Sequence, residues 1–187
     1  MLKLCGLHLR ISACRTIRGT AMTTFTPKRL ITRETPKQIL SEDFKEIKWP
    51  VSGGWGYTQE DAVIIDADNS SSAISVENRF IEYKTYEELI IFRPKGQKFR
   101  GIKIDKLRQF LISDDQGRSY DKIEYRVTAL PEADFAALKA DAESINELPD
   151  PLERMKRFDA NMKARDEKLV TFDAECWFDI TKAFNKK

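Results

Sequence analysis

Asp173 and Glu175 stand two residues apart in the run 170–180. On an extended strand both carboxylates share one face with Thr171, Trp177 and Asp179. Two carboxylates so placed can divide the roles of general acid and general base. The same three acids also suit an acidic surface for a basic partner, or plain solvation. Val170, Phe172, Ala174, Cys176, Phe178 and Ile180 alternate with them as the apolar face, which makes Cys176 a buried core thiol. Imidazole chemistry has little to draw on, because His8 is the only histidine. Cys5 and Cys14 lie in the same N-terminal stretch, leaving Cys176 alone in the rest. Ser-His-Asp and Cys-His catalysis both need an imidazole base. A zinc site of the Cys/His type needs about four such ligands. One cysteine makes no disulfide within the chain. No metal, cofactor or disulfide framework is expected.

Asp66 closes the apolar run 62–66, and Glu82, Tyr83 and Lys84 follow on the next segment. If 76–84 is a strand, Glu82 and Lys84 project from the same face. The set resembles the Asp…(Asp/Glu)-x-Lys arrangement of metal-dependent nucleases. That resemblance implies that Asp66 and Glu82 hold Mg²⁺ and that Lys84 orients or activates a water for attack on phosphate. Glu46-Ile47-Lys48 repeats the triplet. Cross-strand pairing of Glu with Lys on a solvated face produces the same pattern.

The stretch 93–108 carries Arg93, Lys95, Lys98, Arg100, Lys103, Lys106 and Arg108 against Asp105 alone. Phe92, Phe99 and Phe110 are interleaved. Phosphate contacts and base stacking on such a hairpin can bind single-stranded nucleic acid. Lysines that discourage edge pairing, over core phenylalanines, read the same way. Trp49, Trp55 and Tyr57 surround the glycine run 53–56. Loop aromatics anchor partners, so these three and Trp177 are the candidate partner-binding residues. A loop pinned over the core by its own aromatics is the alternative. No Gly-Lys-Ser/Thr follows the glycines, so this is no phosphate loop.

The elements that must position these residues follow from period and turn chemistry. Thr35-Pro36 opens a short helix through Leu40, and 41–44 adds a turn. Residues 51–57 read as a loop or irregular edge, and 68–72 as a loop. Strands are expected at 62–66, 76–84, 86–93, 99–104, 107–112, 120–128 and 170–180. Arg93-Pro94-Lys95-Gly96 and Asp114-Asp115-Gln116-Gly117 are turns. Helices are expected from Pro131 to about 148 and from Pro151, the second opened by the capping-box-like Asp150-Pro151-Leu152-Glu153. Connections this short favour antiparallel pairing. The expectation is an α+β fold: one antiparallel sheet of five to seven strands with two C-terminal-half helices packed on one face.

The chain has 187 residues with 41% hydrophobic and 33% charged side chains, ordinary for one globular domain. Net charge is +2, which excludes a polybasic nucleic-acid binder of the histone type. No apolar run approaches a membrane span of roughly 20 residues. Residues 1–33 hold seven Lys or Arg and no acid, while the remaining 154 hold 25 basic and 30 acidic side chains. The start reads as a mitochondrial presequence, or as an extension upstream of Met22. Residues 1–30 are expected to be poorly ordered, with 31–187 a single domain. Few cysteines fit the cytoplasm; a presequence would instead mean the mitochondrial matrix. An enzyme here would have to work with carboxylates, lysines and tyrosines alone, whereas a binding protein needs only a surface. The expected function is therefore non-enzymatic protein–protein contact, as an immunity or antitoxin-like inhibitor or an accessory subunit of an unknown protein partner. The alternatives are a phosphodiesterase using Asp66, Glu82 and Lys84, and nucleic-acid binding through Lys95, Lys98, Arg100 and Lys103.

Overall fold

A computed structural model describes residues 25, 27, 29–30, 34–66 and 70–184, with residues 70 and 71 described by backbone alone. Most of the segment expected to be an extension lies outside the described residues. The element order is α1 (Pro36–Asp43), β1 (Val51–Gly53), β2 (Val63–Ile65), α2 (Ser70–Tyr86), β3 (Phe99–Ser113), β4 (Ser119–Pro131), α3 (Glu132–Asn146), α4 (Pro151–Lys168), β5 (Val170–Asp179) and α5 (Thr181–Phe184). A π-helical turn, Glu87–Ile91, extends α2. The class is α+β, with five strands in one sheet ordered β1-β2-β5-β4-β3.

The sheet is mixed, which corrects the antiparallel expectation. β2 runs parallel to β5 through Val63↔Phe178 and Ile64↔Asp179. The long strand β5 returns from the helices antiparallel to β4 and takes the place between β4 and β2. Such a pairing joins segments more than a hundred residues apart, so short connections cannot announce it.

Two expected strands, 76–84 and 86–93, are instead the helix α2 and its π turn. Ala73, Glu77, Phe80, Lys84 and Glu88 are buried at helical spacing. Three of those five are charged, so the hydrophobic pattern of the buried stripe is broken. Phe80 is fully buried against Trp55 and Phe178, with ring centroids 6.0 and 5.8 Å away. Burying such a ring contributes about 1.5–3 kcal/mol.

The expected strands 99–104 and 107–112 are one strand, β3, carrying register irregularities at 100–103 and 106–108. The expected loop at 51–57 begins with β1, which pairs with β2 from Val51↔Ile65 to Gly53↔Val63. The short helix at Thr35-Pro36 is α1, closed by a capping box of Thr35 with Gln38. The last strand has the expected two faces: Phe172, Cys176, Phe178 and Ile180 are buried, and Asp173 and Glu175 are exposed.

The helix over the apolar face is α2, not the C-terminal-half pair. The helices α3 and α4 form a hairpin between β4 and β5, with α3 against β3 and β4 and α4 touching β4. Among the described residues there are five α-helices, α2 and the short α5 being the two that were not expected.

Gly56 fastens the glycine loop to the sheet. Its backbone lies at φ +73°, and a Cβ there would sit 2.7 Å from Cys176 Sγ and 2.8 Å from the Trp177 carbonyl oxygen. Its own carbonyl accepts from the Trp177 N–H at 2.9 Å. Gly56→Ala combines left-handed strain with a core clash, and is expected to cost about 3 kcal/mol or more in urea unfolding. A wild-type unfolding curve would mean that the loop does not seat on β5.

Candidate functional site

The residues expected to meet in a nuclease site do not do so. Asp66 accepts from Lys182 and sits near Ser52 Oγ at 3.5 Å. Glu82 and Lys84 lie on a helix, where a spacing of two points side chains to different faces. Glu82 is exposed and accepts from Tyr86 Oη at 3.0 Å, whereas Lys84 is buried under the sheet. Among the described residues no three His, Cys, Asp or Glu side chains converge as a metal site requires.

The basic stretch is largely engaged within the protein. Arg93 turns inward, donating to the Glu88 carbonyl at 2.9 Å and lying near the rings of Phe25 and Phe99. Arg100 pairs with Glu132 at 2.8 Å, Lys103 with Asp105 at 2.7 Å and Arg108 with Glu124 at 3.0 Å. Lys106 donates to Gln109, and Lys95 is exposed without an ion pair among the described residues. The interleaved Phe99 is core, while Phe92 and Phe110 are exposed.

The aromatic candidates divide between core and surface. Trp49 and Trp55 are core residues, 4% and 5% exposed, which corrects their reading as partner anchors. Trp49 Nε1 donates to the Leu40 carbonyl at 3.1 Å. Tyr57 is half-buried in a polar cluster, described below. Trp177 lies on the outer sheet face, partly exposed, under the Lys122 ammonium at 5.5 Å.

The carboxylates on that outer face are paired with cations. Arg126 makes a two-pronged contact with Asp173 at 2.7 and 2.9 Å. These bonds hold the Asp173 carboxyl below the usual range. Lys122 reaches Glu175 at 2.7 Å. Burial pushes Glu175 up, but Lys122 and the Trp177 indole N–H outweigh it, and its pKa is lowered. Two carboxylates bridged to cations and both lowered in pKa make a poor acid/base pair.

The surface feature that sequence reasoning missed is on α4. Asp150 caps this helix by accepting from the Leu152 N–H at 2.9 Å, Pro151 follows at the first turn, and Arg165 and Lys168 occupy the last. Its inner face is polar. Asn161 donates to the Leu138 carbonyl at 3.1 Å and to Asp141 at 2.7 Å, Arg157 donates to Asp141 at 3.1 Å, and Lys168 pairs with Asp134. Its outer face is apolar: Leu152 is 55% exposed, Met155 58%, Phe158 49% and Met162 38%.

A helix packed on its own domain ordinarily turns the apolar stripe inward. Here the stripe runs about 15 Å along the outside. Arg154, Lys156 and Lys163 flank it, and none has an ion pair among the described residues. Asp159 lies between the two lysines. The stripe was visible in the sequence as Met155, Phe158 and Met162 at helical spacing. What could not be read was which way it faces, because Asn161 and Arg157 on the opposite side look like a solvated face.

A second feature is a cavity of about 260 Å³ between α2, the glycine loop and β5. Lys84, 1% exposed, places Nζ 3.8 Å from the Tyr57 ring centre and 3.9 Å from Cys176 Sγ. Tyr57 Oη donates to Glu88 Oε1 at 2.6 Å and accepts from the Leu30 N–H at 2.8 Å. Burial raises the Glu88 carboxyl, with Lys84 and Tyr57 opposing. Burial also raises the Tyr57 hydroxyl, reinforced by the Glu88 charge.

The Cys176 thiol is fully buried, which pushes it up to about 11, with Lys84 opposing. Cys176 is therefore expected to resist alkylation near neutral pH in the native protein and to react on unfolding, read by peptide mass spectrometry. Native alkylation at Cys176 would contradict its placement. No family model, curated protein or solved structure matches this chain.

Proposed function

We propose that this protein acts by contact with another protein, docking an amphipathic helix with an acid-rimmed apolar stripe along the outer face of α4. It is then a non-enzymatic inhibitor or accessory subunit. One observation carries the reading: four large apolar side chains on consecutive turns face away from the domain while polar ones face in. Exposed apolar patches of a few hundred Å² rimmed by charge mark association sites. The unpaired Arg154, Lys156 and Lys163 favour carboxylates on the partner.

A second copy fits the face less well. Antiparallel self-pairing that sets Met155 against Met162 also sets Arg154 against Lys163. Parallel self-pairing sets each cation against its own copy. The buried free thiol of Cys176 suits a reducing, cytoplasmic setting. No described helix is long and apolar enough to cross a membrane.

Sedimentation equilibrium of the purified protein at micromolar concentration tests the choice of occupant. A monomer is expected. A concentration-dependent dimer that Phe158→Ser abolishes would overturn the reading.

A further inference from the structure

Lys84 is a buried ammonium that makes no salt bridge among the described residues, although its charge acts on the Glu88 carboxyl one turn further on. Its polar contacts are the Cys176 sulfur and the face of the Tyr57 ring, and among the described residues no carboxylate or carbonyl oxygen lies within hydrogen-bond distance. An ion taken out of water needs several kcal/mol of compensation from a partner. A cation–π contact and a sulfur at 3.9 Å supply part of it. The side chain is not isolated by packing, because it lines the 260 Å³ cavity. That volume holds roughly nine water-sized atoms.

The remaining lining sorts by charge. Arg29 is exposed at the outer end and lies 5.1 Å over the Tyr57 ring. Asp173 and Glu175 are already held by Arg126 and Lys122. Glu88 is the acid left inside. Tyr57 occupies its Oε1, and Oε2 receives no donor among the described residues. Tyr57, Tyr125, Pro27 and Ala174 give the cavity aromatic and aliphatic walls.

We infer that this cavity binds a small organic acid carrying one carboxylate and one hydrogen-bond donor, such as an α-amino or α-hydroxy acid. The carboxylate takes Lys84, with Arg29 at the entrance. The donor takes the open oxygen of Glu88. An amine without a carboxylate leaves Lys84 unpaired. A phosphate dianion brings a second charge beside Glu88, with only the exposed Arg29 at the entrance to match it. The inference is independent of the α4 interface, since the two lie on different elements and the test involves no protein partner.

Ligand-observed NMR on the full chain with lactate, alanine, acetate, propylamine and inorganic phosphate makes the test. Lactate and alanine are expected to bind, acetate more weakly, and propylamine and phosphate not at all. Lys84→Met removes a buried ion that makes no salt bridge and keeps its apolar stem. The variant is expected to melt no lower than wild type, yet to bind lactate about tenfold or more weakly.

Amide shifts in the wild-type protein check the location without any variant. On lactate titration they are expected around Tyr57, Glu88 and Ala174. Absence of carboxylate binding, phosphate binding in place of lactate, undiminished binding in Lys84→Met, or shifts centred elsewhere would each overturn the inference.

Discussion

Phe158→Ser is expected to weaken partner binding about thirty-fold or more, the scale of a central aromatic hot spot. The melting temperature should hardly move. Phe158 is half exposed, and surface substitutions away from packing usually stay within about 0.5 kcal/mol. Met155→Ser, one turn earlier on the same stripe, is expected to act in the same direction. Lys95→Ala, on the turn before β3, is expected to change neither. Titration calorimetry with the partner, alongside a thermal melt of each variant, separates the outcomes. If Phe158→Ser lowers stability by several degrees at unchanged affinity, the stripe packs inside the protein and the docking account fails.

Glu77→Gln carries the largest expected effect on stability, and its sign depends on pH. Glu77 is fully buried on α2, and neither carboxyl oxygen has a hydrogen-bond partner of normal geometry. Burial pushes its pKa up to about 8, with the neighbouring Asp121 charge adding to the rise and Lys106 opposing it. Asp121 itself accepts from Gln109 at 2.6 Å. The folded protein therefore holds a proton on Glu77 that the unfolded chain releases at the ordinary carboxylate pKa.

Between about pH 4.5 and 8 the native state binds more protons, so stability falls as pH rises through that window. Glu87 adds a second fall of the same sign, since burial and then Asp43 push it up to about 8. Asp141 and Asp173 are shifted downward by their partners. Their contributions change below the window, so they do not mask it.

Glu77→Gln keeps a hydrogen-bonding group of the same shape and removes the charge. Urea unfolding near pH 8.5 should show it more stable than wild type by on the order of several kcal/mol, and close to wild type near pH 5. The slope left in the variant is assigned to Glu87 and to Glu88, whose carboxyl burial also raises, and Glu87→Gln should remove the Glu87 part. A wild-type stability that stays level or rises across the window would contradict the buried acid.

How much of this could be read from the chain depends on the element. The cap residues Thr35 and Asp150, the turn at Asp114–Gly117 and the strict alternation of β5 each speak through local chemistry, and each appears where its pattern puts it. The α2 segment does not, because Glu77, Lys84 and Glu88 sit inside the protein on a stripe that would otherwise read as helical. Those same charged residues make the cavity and the pH response, so the features that obscured the helix are the ones with something to do.

Trp49 and Trp55 misled in the opposite way. A glycine run between aromatics reads as a surface loop, but Gly56 lets the backbone lie against β5 and carries Trp55 into the core. The exposed face of α4 lay between these cases. Its period was legible, while its direction was set by Asn161 and Arg157 pairing with α3, a tertiary contact without a local signal.

The central claim is that the outer face of α4 receives an acidic partner helix. Zero-length carbodiimide coupling of the native complex, mapped by mass spectrometry, tests it most directly. Links are expected from Lys156 and Lys163 to aspartate or glutamate on one helical segment of a different polypeptide, and are expected to be lost in Phe158→Ser. Links confined to Asp159 or Asp166 of the same helix, to a second copy of this chain, or to lysines remote from α4 such as Lys95 would contradict it.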